Sequence, residues 1–256
     1  MQKNPKKAKL EKAAEILVNS EYLVAFTGAG ISAESGVPTY RGEDGLWNKY
    51  DPEKTATLSG FKDDPDKFWG FIRDMAVAGD ISPNPAHQVL ADWEENNILQ
   101  AIITQNIDLL HQQAGSEEVL ELHGSLQTAE CYGCGRKYNW QWIEEKLEEN
   151  EIPVCKDCGS KKIKPNVVFF GEMLPQDTIR AAEQEARKCD VMLVIGSSLA
   201  VHPAASLPAR ARQTGAQLIY VNADKGERPE LFDVILEGKA GKIIPEMHEK
   251  IQELNR

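Results

Sequence analysis

The sequence predicts a doubly wound α/β protein with a smaller inserted module. Three observations carry that prediction. Short β-branched and apolar runs alternate with helical stretches along most of the chain. A Gly-x-Gly turn follows the first of those runs directly, and two long stretches break the alternation, one of them holding four cysteines in two close pairs.

Residues 23–27 form the first run and end at once in Gly28-Ala29-Gly30-Ile31-Ser32-Ala33, a strand, glycine turn and helix start. Residues 98–104, 167–170, 191–195, 217–221 and 234–236 predict five further buried strands, the third being 167–170. Asn84-Pro85 sets a capping side chain before a proline at the first helical position, which launches a helix over 86–96. Alternating strands and helices imply a mostly parallel sheet covered on both faces. The interruptions fall at residues 42–83, with a helical patch at 65–75, and at 128–164 with the cysteines; both are assigned to the small module. Near the N-terminus Leu10, Ala14, Leu17 and Val18 share a helical spacing and predict a surface helix, while 244–254 reads as a closing helix on which His248 is solvated.

A chain of 256 residues buries a core large enough to need no staples. With 29 Lys plus Arg against 40 Asp plus Glu the net charge is -11, which disfavours a nonspecific grip on nucleic-acid phosphates over the surface as a whole. No apolar run reaches the ~18 residues that span a bilayer, and the N-terminus lacks the apolar core and cleavage site of a signal peptide. The expected setting is soluble and cytoplasmic, where five cysteines serve as metal ligands or core residues. Cys189, just before a buried run, reads as inert core. The five tryptophans read as core or module packing.

Cys131-x2-Cys134, twenty intervening residues and Cys155-x2-Cys158 is the spacing of a zinc ribbon, two knuckles supplying four thiolates to one Zn2+. Four sulfurs leave no position for water, so the ion holds structure and does no chemistry. A ribbon can also mark a nucleic-acid module. Here Glu144, Glu145, Glu148, Glu149 and Glu151 crowd the segment between the pairs and argue against it.

Gly28-x-Gly30-x-x-Ala33 is compatible with a dinucleotide turn, but the usual acidic partner about twenty residues on is missing: Glu43 and Asp44 follow no strand. Gly196-Ser197-Ser198 and Asn222-Ala223-Asp224 both follow predicted strands, where ligands bind in such sheets, although each alone reads equally as a turn. Gln105-Asn106-Ile107-Asp108 sets three polar side chains after the second strand, with His111 one turn beyond as a cap or surface group. His87 reads as a hydrogen-bonding group near a helix start. A lone histidine is usually structural; for His123, beside this cluster, a catalytic role stands on even terms with that.

These stretches together resemble the sirtuin family of prokaryotic type, NAD-dependent protein deacylases. GAGISAESGVPTYRG at 28–42, TQNIDLLH at 104–111, ELHG at 121–124, the four cysteines, PNVVFFGE at 165–172, GSS at 196–198 and VNA at 221–223 occur in the family's order. The resemblance implies a Rossmann-like domain made of residues 1–42, 84–127 and 165–256, and a small domain made of a helical module (43–83) and the ribbon (128–164). NAD and an acyl-lysine protein or peptide would share the cleft between them. It implies cofactor contacts at Gly28, Ala29, Gly30, Ile31, Ala33, Tyr40 and Arg41 on the glycine loop. Ser32, Asn106, Ile107 and Asp108 would line the nicotinamide pocket, with Gln105 at the ribose. Gly196, Ser197, Ser198, Asn222, Lys239 and Ala240 would surround the adenosine half, and Val168, Phe170, Gly171 and Glu172 would meet the acyl-lysine.

By the same resemblance His123 would be the general base, Asn106 and Asp108 would assist nicotinamide departure, and the products would be free lysine, nicotinamide and 2'-O-acyl-ADP-ribose. The chain departs from the family's commonest pattern at Lys164, where arginine is frequent, and at Tyr40, where phenylalanine is frequent. The Tyr-x-x-Arg pair of succinyl-removing relatives does not occur between residues 65 and 79, so neutral acyl groups are expected, acetyl first and longer chains after it. His202 borders the peptide groove or lies plainly on the surface. The rival readings are an NAD-dependent protein ADP-ribosyltransferase and a nonenzymatic zinc-ribbon module. Neither membrane nor direct nucleic-acid binding is expected.

Overall fold

The computed structural model describes residues 5–40, 45–76 and 81–255, so Arg41, Glu43 and Asp44 lie outside the described residues. Its strands are β1 (Leu23–Thr27), β2 (Leu99–Thr104), β3 (Val119–Glu121), β4 (Gly124–Cys131), β5 (Lys137–Asn139), β6 (Ile163–Val167), β7 (Val191–Ile195), β8 (Gln217–Asn222) and β9 (Val234–Glu237). The helices are α1 (Pro5–Val18), α2 (Leu46–Lys49), α3 (Pro52–Thr55), α4 (Leu58–Asp63), α5 (Pro65–Ala76), α6 (Pro85–Glu95), α7 (Leu110–Gln113), α8 (Trp140–Glu148), α9 (Gln176–Lys188), α10 (Leu207–Gln213) and α11 (Ala240–Leu254).

Six strands form one parallel sheet in the order β3-β2-β1-β7-β8-β9, the doubly wound arrangement the sequence predicts. β1 reads Leu-Val-Ala-Phe-Thr and is buried throughout, because both faces of the sheet are covered. Its side chains alternate between the faces: Leu23 and Ala25 join the core beneath α1, α6 and α11, whereas Val24 and Phe26 join the core beneath α9 and α10. The chain leaves β1 toward β2 and β3 on one side and returns through β7, β8 and β9 on the other. The switch point therefore lies between the carboxyl ends of β1 and β7.

Two strand expectations are corrected. Residues 167–170 are not a strand of the large sheet: β6 ends at Val167 and pairs antiparallel with β4 in a separate sheet of order β5-β4-β6. The place in the large sheet goes to Val119–Glu121, too short and too half-buried to stand out as a periodic run. Val18 is exposed, while Leu10, Ala14 and Leu17 of the same helix are buried.

The small sheet closes a third core with α5 and α8. Phe68, Phe71, Ile72 and Met75 recur at i, i+3, i+4 and i+7 on α5 and turn one stripe into that core. Phe61 and Phe68 meet Phe169 at ring separations of 5.6 and 5.1 Å, which locks the helical segment to the chain leaving β6. A backbone bond from Phe170 N to Ala56 O (2.8 Å) adds to that seam. On the large sheet's flank, Asn84 caps α6 by accepting from Ala86 N (2.9 Å), and its own N–H donates to His87 Nδ1 (3.3 Å). His87 thus serves the helix start, as its position in the sequence suggests.

Candidate active site

Two glycine turns meet at the switch point. Gly28 N donates to Ile195 O (3.0 Å) and Gly30 N to Gly196 O (2.8 Å), drawing the end of β1 against the end of β7. A Cβ on Gly30 would sit 2.7 Å from Gly196 Cα, and one on Gly196, where φ is +63°, would sit 2.2 Å from Ile31 N. Only glycine permits this approach. Over the joined turns opens a cleft of about 640 Å³ that runs from the β8–β9 rim to the third core.

Behind one wall lies a buried polar network. Ser32 Oγ donates to Asp108 Oδ2 (2.7 Å), and Asn106 Nδ2 donates to Ser32 Oγ (3.2 Å) and Gly28 O (3.3 Å). Leu110 N donates to Asp108 Oδ1 (3.0 Å). Burial pushes the Asp108 carboxyl above its ordinary range, and the bonds from Ser32 and Leu110 oppose that rise. His111, expected as a cap or surface group, is instead buried, with Nε2 2.9 Å from Thr27 Oγ1. The reason is that α7 folds back beneath the strand ends, where Thr27 Oγ1 donates to Thr104 Oγ1 (2.8 Å). Burial lowers His111 to about 3 and His87 to about 4, so both are neutral.

His123 follows β3 and lines the cleft. Its Nδ1 lies 2.8 Å from Gln105 O. A carbonyl oxygen only accepts, so Nδ1 carries the proton and Nε2 keeps a free lone pair. Gln105 in turn donates from its backbone N to Thr27 O (3.0 Å) and from Nε2 to Ser197 Oγ (2.8 Å). The imidazole is thereby fastened to the mouth of the glycine turn. Burial lowers its pKa below the ordinary histidine value, against the opposing pull of the Gln105 bond.

The far arm of the cleft is apolar. Trp47, Ala56, Phe68, Phe71, Ile72, Val167 and Phe169 line it, and Lys239, at the β8–β9 rim, is the one Lys or Arg among the described lining residues. Trp47 is a wall residue there, stacked between Tyr40 (5.2 Å) and Phe71 (5.6 Å), and not merely module packing. The Tyr40 hydroxyl, whose partner the sequence does not name, donates to Met75 Sδ (3.5 Å), and burial raises its pKa to about 12. Lys164 pairs with Glu172 (3.1 Å), whose carboxylate also accepts from Phe169 N (2.8 Å). That pair braces the 169–172 turn on the cleft edge.

At the opposite rim Tyr220 donates to Ser197 O (2.9 Å) and accepts from Asn222 Nδ2 (2.9 Å). Gly238 N donates to Asn222 O (2.8 Å), which aligns the ends of β8 and β9.

The four paired cysteines stand together outside the cleft. Their Sγ atoms all lie within 4.8 Å of one another, with Cys131 to Cys158 and Cys134 to Cys155 both at 3.5 Å. The S–S edge of a tetrahedral Zn–S4 unit is ~3.8 Å, so the set fits such an ion. Gly133 N donates to Cys131 Sγ (3.4 Å) and Tyr138 Oη to Cys155 Sγ (3.2 Å), donors suited to thiolates. Cys189 stands apart, buried, with its thiol raised to about 12 by burial. His248, expected in solvent, is half-buried and accepts from Trp93 Nε1 (2.9 Å), because α11 packs along α6.

Of the residues singled out in the sequence, Gly28, Ala29, Gly30, Ala33, Tyr40, Gln105, Asn106, Ile107 and His123 share the cleft wall. So do Gly196, Ser197, Ser198, Asn222, Lys239 and Ala240, and on the apolar side Val168, Phe170, Gly171 and Glu172. Ile31, Ser32 and Asp108 stand one layer behind it, and His202 is exposed on its edge. Asp224, part of the 222–224 set read at a strand end, also lines the cleft, whereas sequence reasoning missed Glu34 and the aromatic arm of Trp47, Phe68 and Phe71 as wall residues. Nothing in their local pattern distinguishes them from core or surface positions.

The profile of the Sir2 family matches residues 28–203. An NAD-dependent protein deacylase 2 from Archaeoglobus fulgidus is 52% identical over 96% of this chain and 97% of its own length. Among solved structures, Sir2Af2 bound to a myristoylated histone peptide superposes with a TM-score of 0.88 at 44% identity, covering 97% of this chain and 98% of that one. A Sir2 homologue variant in complex with 2'-O-acetyl ADP ribose does so with a TM-score of 0.86 at 42% identity, covering 95% and 97%.

Proposed function

The chain belongs to the Sir2 family, and from that premise we propose how its cleft carries out the NAD-dependent removal of acyl groups from protein lysine side chains. The observation that carries the assignment of roles is the imidazole of His123, held by Gln105 O at the mouth of the glycine turn with Nε2 free. Nε2 accepts a proton from a ribose hydroxyl, and the neutral form needed for this is favoured by burial. NAD, when bound, supplies a sugar carbon that gives up nicotinamide and takes the acyl oxygen. Asn106 and Ile107 form the nicotinamide wall, and Ser32 and Asp108 hold the Asn106 amide in place from behind. Gly28, Ala29, Gly30, Ile31, Ala33, Tyr40 and Arg41 carry the cofactor loop, and Gln105 meets the ribose. Gly196, Ser197, Ser198, Asn222, Lys239 and Ala240 hold the adenosine half.

Val168, Phe170, Gly171 and Glu172 receive the acyl-lysine, and the aromatic arm excludes water from it. An apolar arm without Lys or Arg among its described residues supports acetyl and longer neutral chains over succinyl. The four thiols hold one structural Zn2+, which braces β4 and β6 and does no chemistry. Cysteines placed as metal ligands in place of disulfides support a reducing, cytoplasmic setting, and no helix among the described residues is long and apolar enough to cross a membrane. The division into a cofactor domain (1–42, 84–127, 165–256) and a small domain (43–83, 128–164) is supported by the third core, built mostly from the small-domain segments and joined across the bounds by Leu126, Val167 and Phe169. Contact with nucleic acid comes only through protein substrates.

Mass spectrometry of the purified protein with NAD and a panel of acyl-lysine peptides tests the whole reading. Free lysine peptide, nicotinamide and 2'-O-acyl-ADP-ribose in equal amounts are expected. ADP-ribose attached to a protein acceptor, with the acyl-peptide intact, would show a transferase instead.

A further inference from the structure

Helix α11 begins without a cap of its own. Lys239 at its N-cap makes no side-chain hydrogen bond to the helix start, and no acidic residue stands in the first turn. The helix start is served from far away in the chain instead: Gly241 N donates to Oε2 of Glu34, 207 residues earlier, at 2.7 Å. A carboxylate there answers both an orphan N–H and the positive end of the helix. Gly241 belongs to the same contact. Its backbone is helical and needs no glycine, so alanine would favour the helix more, yet a Cβ there would lie 2.8 Å from Glu34 Oε2 and 3.2 Å from its Cδ. Glycine leaves the notch that the carboxylate fills.

Glu34 sits on a single 3-10 turn, Ala33–Ser35, that continues the glycine loop. That turn is tied on both sides. Asn84, the cap of α6, donates from Nδ2 to Ile31 O (2.7 Å) and to Ser35 Oγ (3.0 Å), while Glu34 reaches the start of α11. Glu34, Lys239 and Ala240 line the same cleft, so the clasp joins the glycine loop to the first residues of α11 on the opposite wall. We propose that Glu34 is a positioning residue: through Gly241 it holds the start of α11 against the glycine loop and thereby sets the affinity for the dinucleotide, a role that rests on the deacylase reading above. Its carboxylate acts on the helix and touches neither the acyl-lysine nor the reacting sugar. Because the contact needs an acceptor on one side and an empty Cβ position on the other, it can be broken independently from either end.

Calorimetric titration of the full zinc-loaded protein with ADP-ribose, beside thermal melts, tests this without turnover. Glu34→Ala is expected to weaken binding about tenfold, and Gly241→Ala, which keeps the N–H but fills the notch, by a similar factor. The double variant should bind no more weakly than either single one, since all three lose the same contact. Glu34→Gln keeps an acceptor oxygen and should stay within about threefold of wild type. Gly241→Ala adds helix propensity, so its melting temperature should hold while its affinity falls, a divergence that a merely structural role would not produce. Unchanged or tighter binding by either alanine variant, losses that add in the double variant, a Glu34→Gln loss as large as that of Glu34→Ala, or a melting temperature of Gly241→Ala that falls along with its affinity would each overturn the proposal. Nicotinamide release from NAD and acetyl-peptide by the wild type reports on the deacylase reading separately, so the two failures are distinguishable.

Discussion

Replacing Gly30 by alanine isolates the close approach of the two turns, because no left-handed backbone is required at that position. The added Cβ would lie 2.7 Å from Gly196 Cα, 2.9 Å from its oxygen and 3.1 Å from its carbonyl carbon, all of it backbone that no side-chain rotation can relieve. Restoring ordinary contact parts the turns by about 0.7 Å and stretches the bonds of Gly28 to Ile195 and Gly30 to Gly196. Ser197, which orients Gln105 and through it His123, moves with them. Misplacement on that scale costs about 100-fold in kcat/KM for NAD, or about 2.7 kcal/mol of transition-state stabilisation. Overpacking also costs about 1–3 kcal/mol of stability, read as a lower Tm.

Gly36→Ala serves as the contrast. There φ is +89° with nothing within 4 Å of the new Cβ, so it costs about 1–2 kcal/mol of backbone strain without moving the cleft. The assay is nicotinamide release against NAD concentration with saturating acetyl-peptide, beside thermal melts of both variants. If Gly30→Ala keeps kcat/KM within threefold of wild type, or Gly36→Ala loses as much as Gly30→Ala, the glycine contact does not set the site's geometry.

His123→Ala should lower kcat by about 10²–10⁴ while leaving the melting temperature near wild type, and the wild-type kcat should fall only on an acid limb below pH 6.5, since the neutral imidazole acts and burial depresses its pKa. A limb centred above pH 7 would remove His123 from the role. His87 and His111, buried neutral with values near 4 and 3, bind protons in the unfolded chain before they do in the folded one. Stability should therefore be full above pH 6.5 and decline by up to about 1.4 kcal/mol per pH unit per histidine on acidification, a fall that denaturant titrations would detect and that His111→Gln should shrink. Elemental analysis should find one zinc per chain, and chelation should abolish activity: β4 begins directly after His123, and Val168 N donates to His123 O (2.8 Å). Full turnover by metal-free protein would separate ribbon from site. Succinyl-peptide should react more slowly than acetyl-peptide, and Ile72→Trp, filling the apolar arm, should suppress long-chain substrates more than acetyl; the reverse order in either comparison would show that the arm does not receive the acyl group.

Period and punctuation sufficed for the large sheet's central strands. A run such as residues 191–195 is apolar at every position only because it is covered on both faces, and that condition is written in the sequence itself. The same holds for the capped start of α6 and for the spacing of the cysteine knuckles, which depend on residues a few positions apart. Strand β3 was not legible, since three half-buried residues carry too little pattern, and residues 167–170 misled because an apolar run beside the third core resembles one beside the sheet.

Composition and local spacing thus determined the layer architecture, the thiol set and the inventory of polar groups near the strand ends. Tertiary structure alone decided which of those groups face the cleft. Ser32 and Asp108 stand behind its wall and Asp224 on it, and His111 is buried while Trp47 lines the acyl arm. The reason is physical: local pattern reports whether a side chain is covered, whereas its neighbour across the switch point is set by strand order and by backbone contacts such as Gly30 on Gly196, between residues far apart in the chain.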